Sequence, residues 1–339
     1  MRRFALTLAA CALLSAPLMA ARNSLDIYFI DVEGGQATLL VTPAGESLLV
    51  DSGWPGFEGR DPVRIQDAMK KAGIQHIDYF WMTHFHTDHV GGLEELAQKV
   101  TIKTFVDHGD NVETNAGAQK LSAAYERARA KGKRLTLKAG DKLPLKGVDV
   151  VTVASNGNLI TKAINGGGAA NPLCATSQPR AADPTENARS LGFLLTFGKF
   201  RFLDLGDLTW NKELEMVCPN NLLGKVDVYL TTHHGMDMSG PAQIVHALAP
   251  RVTIMNNGAK KGGAVPAVQV VKSSPGLEDL WQVHFAVAGG ADNNTAPDQI
   301  ANLEEKCQGN GLVLTARKDG SFDVINSRNQ HKKSYPARR

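Results

Sequence analysis

Ten consecutive residues constrain this chain more than any other feature: Thr83-His84-Phe85-His86-Thr87-Asp88-His89-Val90-Gly91-Gly92. They close an apolar run, residues 77–83, that reads as a buried strand, and they open helical sequence over residues 92–98. Three imidazoles and a carboxylate at such a junction are hard to place in a core. Imidazole nitrogen and carboxylate oxygen are common ligands of Zn²⁺. In a loop, His84 and His86 point to one side while Asp88 and His89 address a second point a few ångströms away. That spacing suits two metal ions; the plain alternative is a solvated His-rich loop.

Around the motif, apolar runs alternate with helical segments, the rhythm of layered α/β construction. Strands are expected at residues 25–31, 37–42, 47–51, 102–106 and 148–153, then as a hairpin, 190–197 and 200–205, turning at Gly198-Lys199. Further strands are expected at 226–231, 252–256 and 281–285, with a final hairpin at 312–316 and 321–325. Helices are expected at 61–72 and 116–131, and the charged cluster 131–138 reads as a solvated face. Residues 155–187, with Gly166-Gly167-Gly168, read as a long loop inside one domain, because the strands after it repeat the style of those before it.

Of the 339 residues, 43% are hydrophobic and 21% charged, which excludes disorder, collagen and coiled coil as global descriptions. The formal charge of +3 includes Arg2 and Arg3, so there is no strong nucleic-acid signal and little support for a nuclease with a basic track. A short positive start, an apolar stretch over 4–14 and then Ser15-Ala16-Pro17-Leu18-Met19-Ala20-Ala21 form a signal-peptide layout. Residues 1–20 are therefore expected to be removed, leaving residues 21–339 as one domain in the periplasm or outside the cell, with no further membrane segment. Leu8-Ala9-Ala10-Cys11 gives lipoprotein anchoring through Cys11 as a minor option. Of the remaining cysteines, Cys174 and Cys218 are the pair expected to bond, leaving Cys307 free; none has C-x-x-C spacing.

The pattern H-x-H-x-D-H after a strand resembles the signature of the metallo-β-lactamase-fold hydrolase superfamily. Phe29-Ile30-Asp31-Val32-Glu33-Gly34-Gly35-Gln36-Ala37-Thr38-Leu39-Leu40, followed by Leu49-Val50-Asp51-Ser52-Gly53, is similar to the opening strands of the branch containing the ComEC extracellular domain and phosphorylcholine esterases. So are Glu186-Asn187-Ala188-Arg189-Ser190-Leu191, Phe202-Leu203-Asp204-Leu205-Gly206-Asp207-Leu208 and Thr232-His233-His234-Gly235. The resemblance implies an α/β fold, the αββα sandwich, in a single domain. It implies an exported dinuclear zinc hydrolase in which a water shared by two cations becomes a hydroxide nucleophile, acting on a phosphodiester or related ester. An amide or lactone hydrolase of the same fold and a non-catalytic metal-binding module are the alternatives.

Carried over by position, the resemblance has His84 and His86 holding one metal, Asp88 and His89 helping to hold the second, and Asp207 bridging both. Two Zn²⁺ per chain are expected, with Mn²⁺ or Fe²⁺ open to the same donors. His233 is taken as the last ligand, with His234 turned toward substrate to donate to the developing anion; the opposite assignment stays open. Asp88 orients the attacking water as well as ligating. The chain departs from the family at the third motif, where many members have a histidine completing the first metal site. Between His89 and Asp207 the only histidine is His108. His108 is therefore a candidate ligand or substrate contact and Asn187 a candidate substrate contact, with a hydrogen-bonded loop histidine as the other reading of His108. Asp51 is either a carboxylate behind a ligand histidine or the cap of the Ser52-Gly53 turn. The loop 256–263 either brings amides and a cation to an anionic substrate or is a plain Gly-rich loop. His76, His246, His284 and His331 are expected at the surface or satisfied in the core. A small-molecule or ester substrate is expected, and the oligomeric state is open.

Overall fold

The computed structural model describes residues 23–338, so the expected signal peptide and Cys11 lie outside the described residues. The first strand, β1 (Leu25–Phe29), directs Leu25, Ile27 and Phe29 to a central core and Tyr28 to the opposite face, as the two-residue period of a strand requires. It is followed by β2 (Thr38–Val41), β3 (Ser47–Val50), β4 (Ile77–Trp81), β5 (Ile102–Asp107) and β6 (Lys133–Thr136). In β2 and β3 both faces are apolar: Leu40, Leu48 and Val50 face the centre, Leu39, Val41 and Leu49 the outside. Such strands have to be covered on both sides.

The middle of the chain supplies β7 (Lys142–Leu143), β8 (Asp149–Ser155), β9 (Asn158–Leu159), β10 (Gly192–Phe197), β11 (Phe200–Asp204), β12 (Val228–Leu230), β13 (Val252–Met255), β14 (Asp279–His284) and β15 (Ile300–Asn302). The end supplies β16 (Leu312–Ala316), β17 (Phe322–Asn326) and β18 (Lys332–Tyr335). One sheet runs β18-β17-β16-β1-β2-β3-β4-β5-β6 and the other β15-β14-β13-β12-β11-β10-β8-β7, with β9 on β8. Their inner faces meet over Phe29, Trp81, Phe193, Phe202 and Trp281. Trp81 meets the Phe193 ring edge-on with centroids 5.1 Å apart, an arrangement that aromatic quadrupoles favour.

Helices α1 (Arg60–Ala72), α2 (Thr87–Val90), α3 (Leu93–Lys99) and α4 (Ala116–Arg129) cover the outside of the first sheet. In α1 the buried Ile65, Ala68, Met69 and Ala72 fall at i, i+3, i+4 and i+7, one face of a helix. Helices α5 (Trp210–Val217), α6 (Ala242–Leu248) and α7 (Val265–Lys272) cover the second sheet. The result is the αββα sandwich expected from the sequence. No helix among the described residues is long and apolar enough to cross a membrane.

Five strands were not expected: β6, β7, β9, which lies inside the segment read as a long loop, β15 and β18. The segment 131–138, read as a solvated charged face, contains β6, which pairs in parallel with β5; β18 pairs with β17. β6 and β18 sit at the edges of the first sheet. Their lysines face water and blunt an edge that would otherwise template aggregation, so hydropathy shows the solvation and hides the backbone pairing.

Cys174 and Cys218 form a disulfide and Cys307 is free, as the sequence suggested. The bond pins the 155–187 segment beside α5, where Asn171 Nδ2 also donates to Val217 O (3.2 Å) and Gln243 O (2.9 Å). It closes a separation of 44 residues, so reducing it should cost about 2–4 kcal/mol by freeing the unfolded chain. Denaturant midpoints of the oxidised and the Cys174→Ser/Cys218→Ser proteins measure this; equal midpoints would assign the segment's order to its hydrogen bonds alone.

Candidate metal centre

The residues of the H-x-H-x-D-H motif and its distant partners hang from the carboxyl ends of four strands. Asp51 follows β3, Thr83 and His84 follow β4, Asp207 follows β11, and the turn Thr232–Gly235 follows β12. The first two strands belong to one sheet and the others to the second, so the site lies where the sheets' ends meet. Cross-links hold that junction: Trp81 Nε1 donates to Leu191 O (2.8 Å), Leu191 N to Thr83 O (2.7 Å), and Gln36 Nε2 to Asp204 Oδ2 (2.7 Å). Gly206 turns the chain into Asp207 at φ +57°, where a Cβ would lie 2.8 Å from Thr83 Cβ. Gly35 is needed for proximity, since its Cβ would lie 2.3 Å from Asp88 O.

Asp88, His89, Asp207 and His234, all buried, each offer one ligand atom within 4.8 Å of the others. His89 Nε2 lies 3.2 Å from Asp88 Oδ2, 3.2 Å from Asp207 Oδ2 and 3.2 Å from His234 Nε2. His234 Nε2 lies 3.2 Å from Asp88 Oδ2 and 3.3 Å from Asp207 Oδ1. Burial alone would raise the Asp207 carboxyl, but His234, His89 and His233 hold it well below the usual carboxylate range. Asp88 is held low in the same way, against its burial, by His89 and His234. Burial would lower His89, yet Asp207, Asp88 and Asp51 hold it well above its ordinary value. Two carboxylates facing two imidazole Nε2 atoms in a desolvated pocket form a donor set that fits a cation.

The other motif residues border this group. His84 is buried with its Nε2 unpartnered, and its ring centroid is 4.1 Å from that of His89. Burial and the neighbouring His89 charge hold it well below its ordinary value, leaving a neutral imidazole able to offer a lone pair. His86 lies 4.6 Å from the His84 ring, and its Nε2 meets Glu113 Oε1 at 2.9 Å. The His233-His234 pair departs from the order read in the sequence. His234, expected to face substrate, stands inside the four-donor group; His233, expected to ligate, stands beside it, its Nε2 3.3 Å from Asp207 Oδ2 and its Nδ1 3.3 Å from Ser239 Oγ. Both residues have φ +56°, and this left-handed turn splays their rings to 6.1 Å, so neighbours in sequence take different positions.

Asp51 stands behind the ligands, as one of its two sequence readings proposed. Its Oδ2 accepts from His89 Nδ1 (2.7 Å) and Thr83 Oγ1 (2.6 Å), and its Oδ1 from Thr83 N (2.8 Å). It thereby fixes which nitrogen of His89 is presented to the cluster. Asp51→Asn should weaken metal binding about 10–100-fold while leaving the fold intact, as metal titration followed by competition with a chelator would show. Unchanged affinity would reduce Asp51 to a turn cap.

His108 is placed elsewhere. It is buried, its Nε2 donates to Glu186 Oε2 (3.0 Å), and it stands outside the four-donor group. It borders a cavity of about 1050 Å³ also lined by Lys138, Asn156 and Lys162, in which no residue of that group takes part. Asn187 is buried with Oδ1 unpartnered. Sequence reading missed Glu186, which accepts from Phe85 N (3.0 Å) and Val112 N (2.7 Å) and so braces the motif loop from below. It also missed Glu113. Lys261, from the Gly-rich loop, donates from Nζ to Asp88 Oδ2 and lies 5.0 Å from the centroid of the Trp54 ring.

Fold and site together define a metal-dependent hydrolase. Residues 30–165 match the family model of the metallo-beta-lactamase superfamily. Among solved structures it is similar to the metallo-beta-lactamase fold protein YhfI from Bacillus subtilis, at 10% identity over 76% of this chain and 95% of that one, with a TM-score of 0.47. It is also similar to Tm1679, a metal-dependent hydrolase of the beta-lactamase superfamily, at 12% identity over 78% of this chain and 97% of that one, TM-score 0.43. A third similar structure is CmlA, a diiron beta-hydroxylase from Streptomyces venezuelae, at 17% identity over 69% of this chain and 44% of that one, TM-score 0.38.

Proposed function

We propose that this protein is an exported dinuclear zinc hydrolase of the branch resembling the ComEC extracellular domain and phosphorylcholine esterases, acting on a phosphodiester or related anionic ester. The observation that carries the substrate class is a lysine at the donor cluster: Lys261 touches Asp88, and its side chain is 29% exposed, so it is available to an incoming anion. The Cys174–Cys218 disulfide supports an oxidising compartment.

Asp88, His89, Asp207 and His234 would hold one ion, and His84 and His86 with Asp207 the other. When bound, such ions supply Lewis acidity and bring the pKa of an attacking water toward neutrality. Asp88, kept ionised by its imidazole neighbours, can accept a hydrogen bond from that water and aim it. Asp51 holds His89 in one orientation, so the donors are arranged before substrate arrives. Lys261 binds the non-bridging oxygen of the anion and counters the charge that develops on it.

Hydrolysis of bis(p-nitrophenyl) phosphate, nitrocefin and a simple lactone by the zinc-loaded protein tests this reading. Turnover of the phosphodiester is expected. Lys261→Met should raise its KM about tenfold, a charged hydrogen bond's share, and leave any lactone KM unmoved. Turnover of nitrocefin or the lactone alone would move the substrate to the amide and lactone class, and metal binding without turnover of any substrate would leave a binding module.

A further inference from the structure

A second set of metal-type donors lies outside the centre described above. Asp31, just past β1, His284, at the end of β14, and Cys307, between β15 and β16, each present a ligand atom within 4.8 Å of the others. Asp31 and His284 are buried. His284 Nε2 is 2.7 Å from Asp31 Oδ1, and Cys307 Sγ is 3.1 Å from Asp31 Oδ2, 3.9 Å from His284 Nε2 and 3.8 Å from Glu33 Oε1. A tetrahedral zinc site with ordinary bond lengths has ligand-to-ligand edges of about 3.4–3.6 Å, so small side-chain shifts bring these atoms into register. Imidazole, thiolate and carboxylate together are a zinc-type donor set.

A cationic group already sits against these acceptors. Arg64, from α1, lies with Nη1 2.9 Å from Asp31 Oδ2 and Nη2 3.3 Å from Glu33 Oε1 and 3.6 Å from Cys307 Sγ. A charge cluster of arginine and carboxylates has no use for a sulfur, yet the sulfur is directed among the acceptors. Arg64 also has somewhere to go: a cavity of about 470 Å³, lined by Arg64, Asp67, Gln308 and Gly309, opens beside it.

We propose that Asp31, His284 and Cys307, with Glu33 as fourth donor, bind a zinc-class divalent cation in exchange for the Arg64 guanidinium. The thiol proton and any proton on the bonding imidazole nitrogen leave to solvent as the metal–sulfur and metal–nitrogen bonds form, and no oxidant or reductant takes part. Such an ion ties β14 and the 303–311 segment to the start of the loop that backs Asp88, where Gln36 N donates to Asp88 O (3.1 Å). Its work is structural, and it stands whether or not the substrate reading holds.

Cobalt gives a readout private to this site. Cys174 and Cys218 are bonded to each other, so Cys307 is the one free thiol among the described residues, and the hydrolase centre contains no sulfur. Protein loaded with Co²⁺ should show a thiolate-to-cobalt charge-transfer band that Cys307→Ser abolishes, with one fewer ion bound per chain and hydrolytic activity retained. Arg64→Met, removing the competitor, should strengthen cobalt binding about tenfold, as loss of one charged contact implies. His284→Asn serves as a second variant should Cys307→Ser unfold. No band in the folded wild-type protein, or a band and ion count unchanged by Cys307→Ser, overturns the site.

Discussion

Asp207→Ala should lower hydrolysis by about 10³-fold or more at saturating substrate and remove bound metal, while circular dichroism stays that of the folded chain. The two oxygens of Asp207 face three imidazoles: Oδ2 lies 3.2 Å from His89 Nε2 and 3.3 Å from His233 Nε2, and Oδ1 lies 3.3 Å from His234 Nε2. Without it the imidazoles lose a shared anion, and the two halves of the centre lose their link. Several kcal/mol of transition-state stabilisation depend on ions held in register, which is the origin of the factor. The fold should survive because Asp207 stands past the end of β11, outside the packed core. An Asp207→Ala protein that keeps both its metal and its turnover would remove the centre from its position in the account.

Trp81→Ala should destabilise the protein by about 3–5 kcal/mol, the range for deleting a large buried aromatic. Trp81 is fully buried between the sheets, packs on Phe193, and donates from Nε1 to Leu191 O. Its loss leaves a cavity two residues before Thr83 and unpairs the carbonyl of Leu191, whose amide in turn donates to Thr83 O. The damage should therefore reach the centre, with a fall in metal affinity before global unfolding. Urea midpoints and chelator competition at low denaturant separate the two effects. Trp81→Phe, which keeps most of the volume, should recover most of the stability but not the indole hydrogen bond.

The legible part of the site was the part written locally. His84, His86, Asp88 and His89 are neighbours in sequence, and Asp207 and the His233-His234 pair each follow a strand end, so chemistry and position could be read together. Glu186 and Glu113 were illegible because a carboxylate acquires its meaning from a partner far along the chain; Glu186 and Phe85 are 101 residues apart. The choice between His233 and His234 rested on two left-handed φ angles that no sequence pattern displays. The strands of the central core were read as apolar runs between helical segments, whereas β6 and β18, whose lysines face solvent at the sheet edges, looked like ordinary surface. His284, expected at the surface or satisfied, is buried against Asp31 across 253 residues. That pairing is a product of the fold alone.

The most direct measurement is the metal content of the Cys307→Ser protein, with Asp207 intact and with Asp207→Ala, after reconstitution in zinc. Removing the thiol leaves the His/Asp centre to report alone. About two ions per chain in the first protein and fewer than one in the second is the result predicted. A folded protein that binds no metal with Asp207 intact would contradict the dinuclear centre, and with it the hydrolytic mechanism built on Asp88, His89, Asp207 and His234.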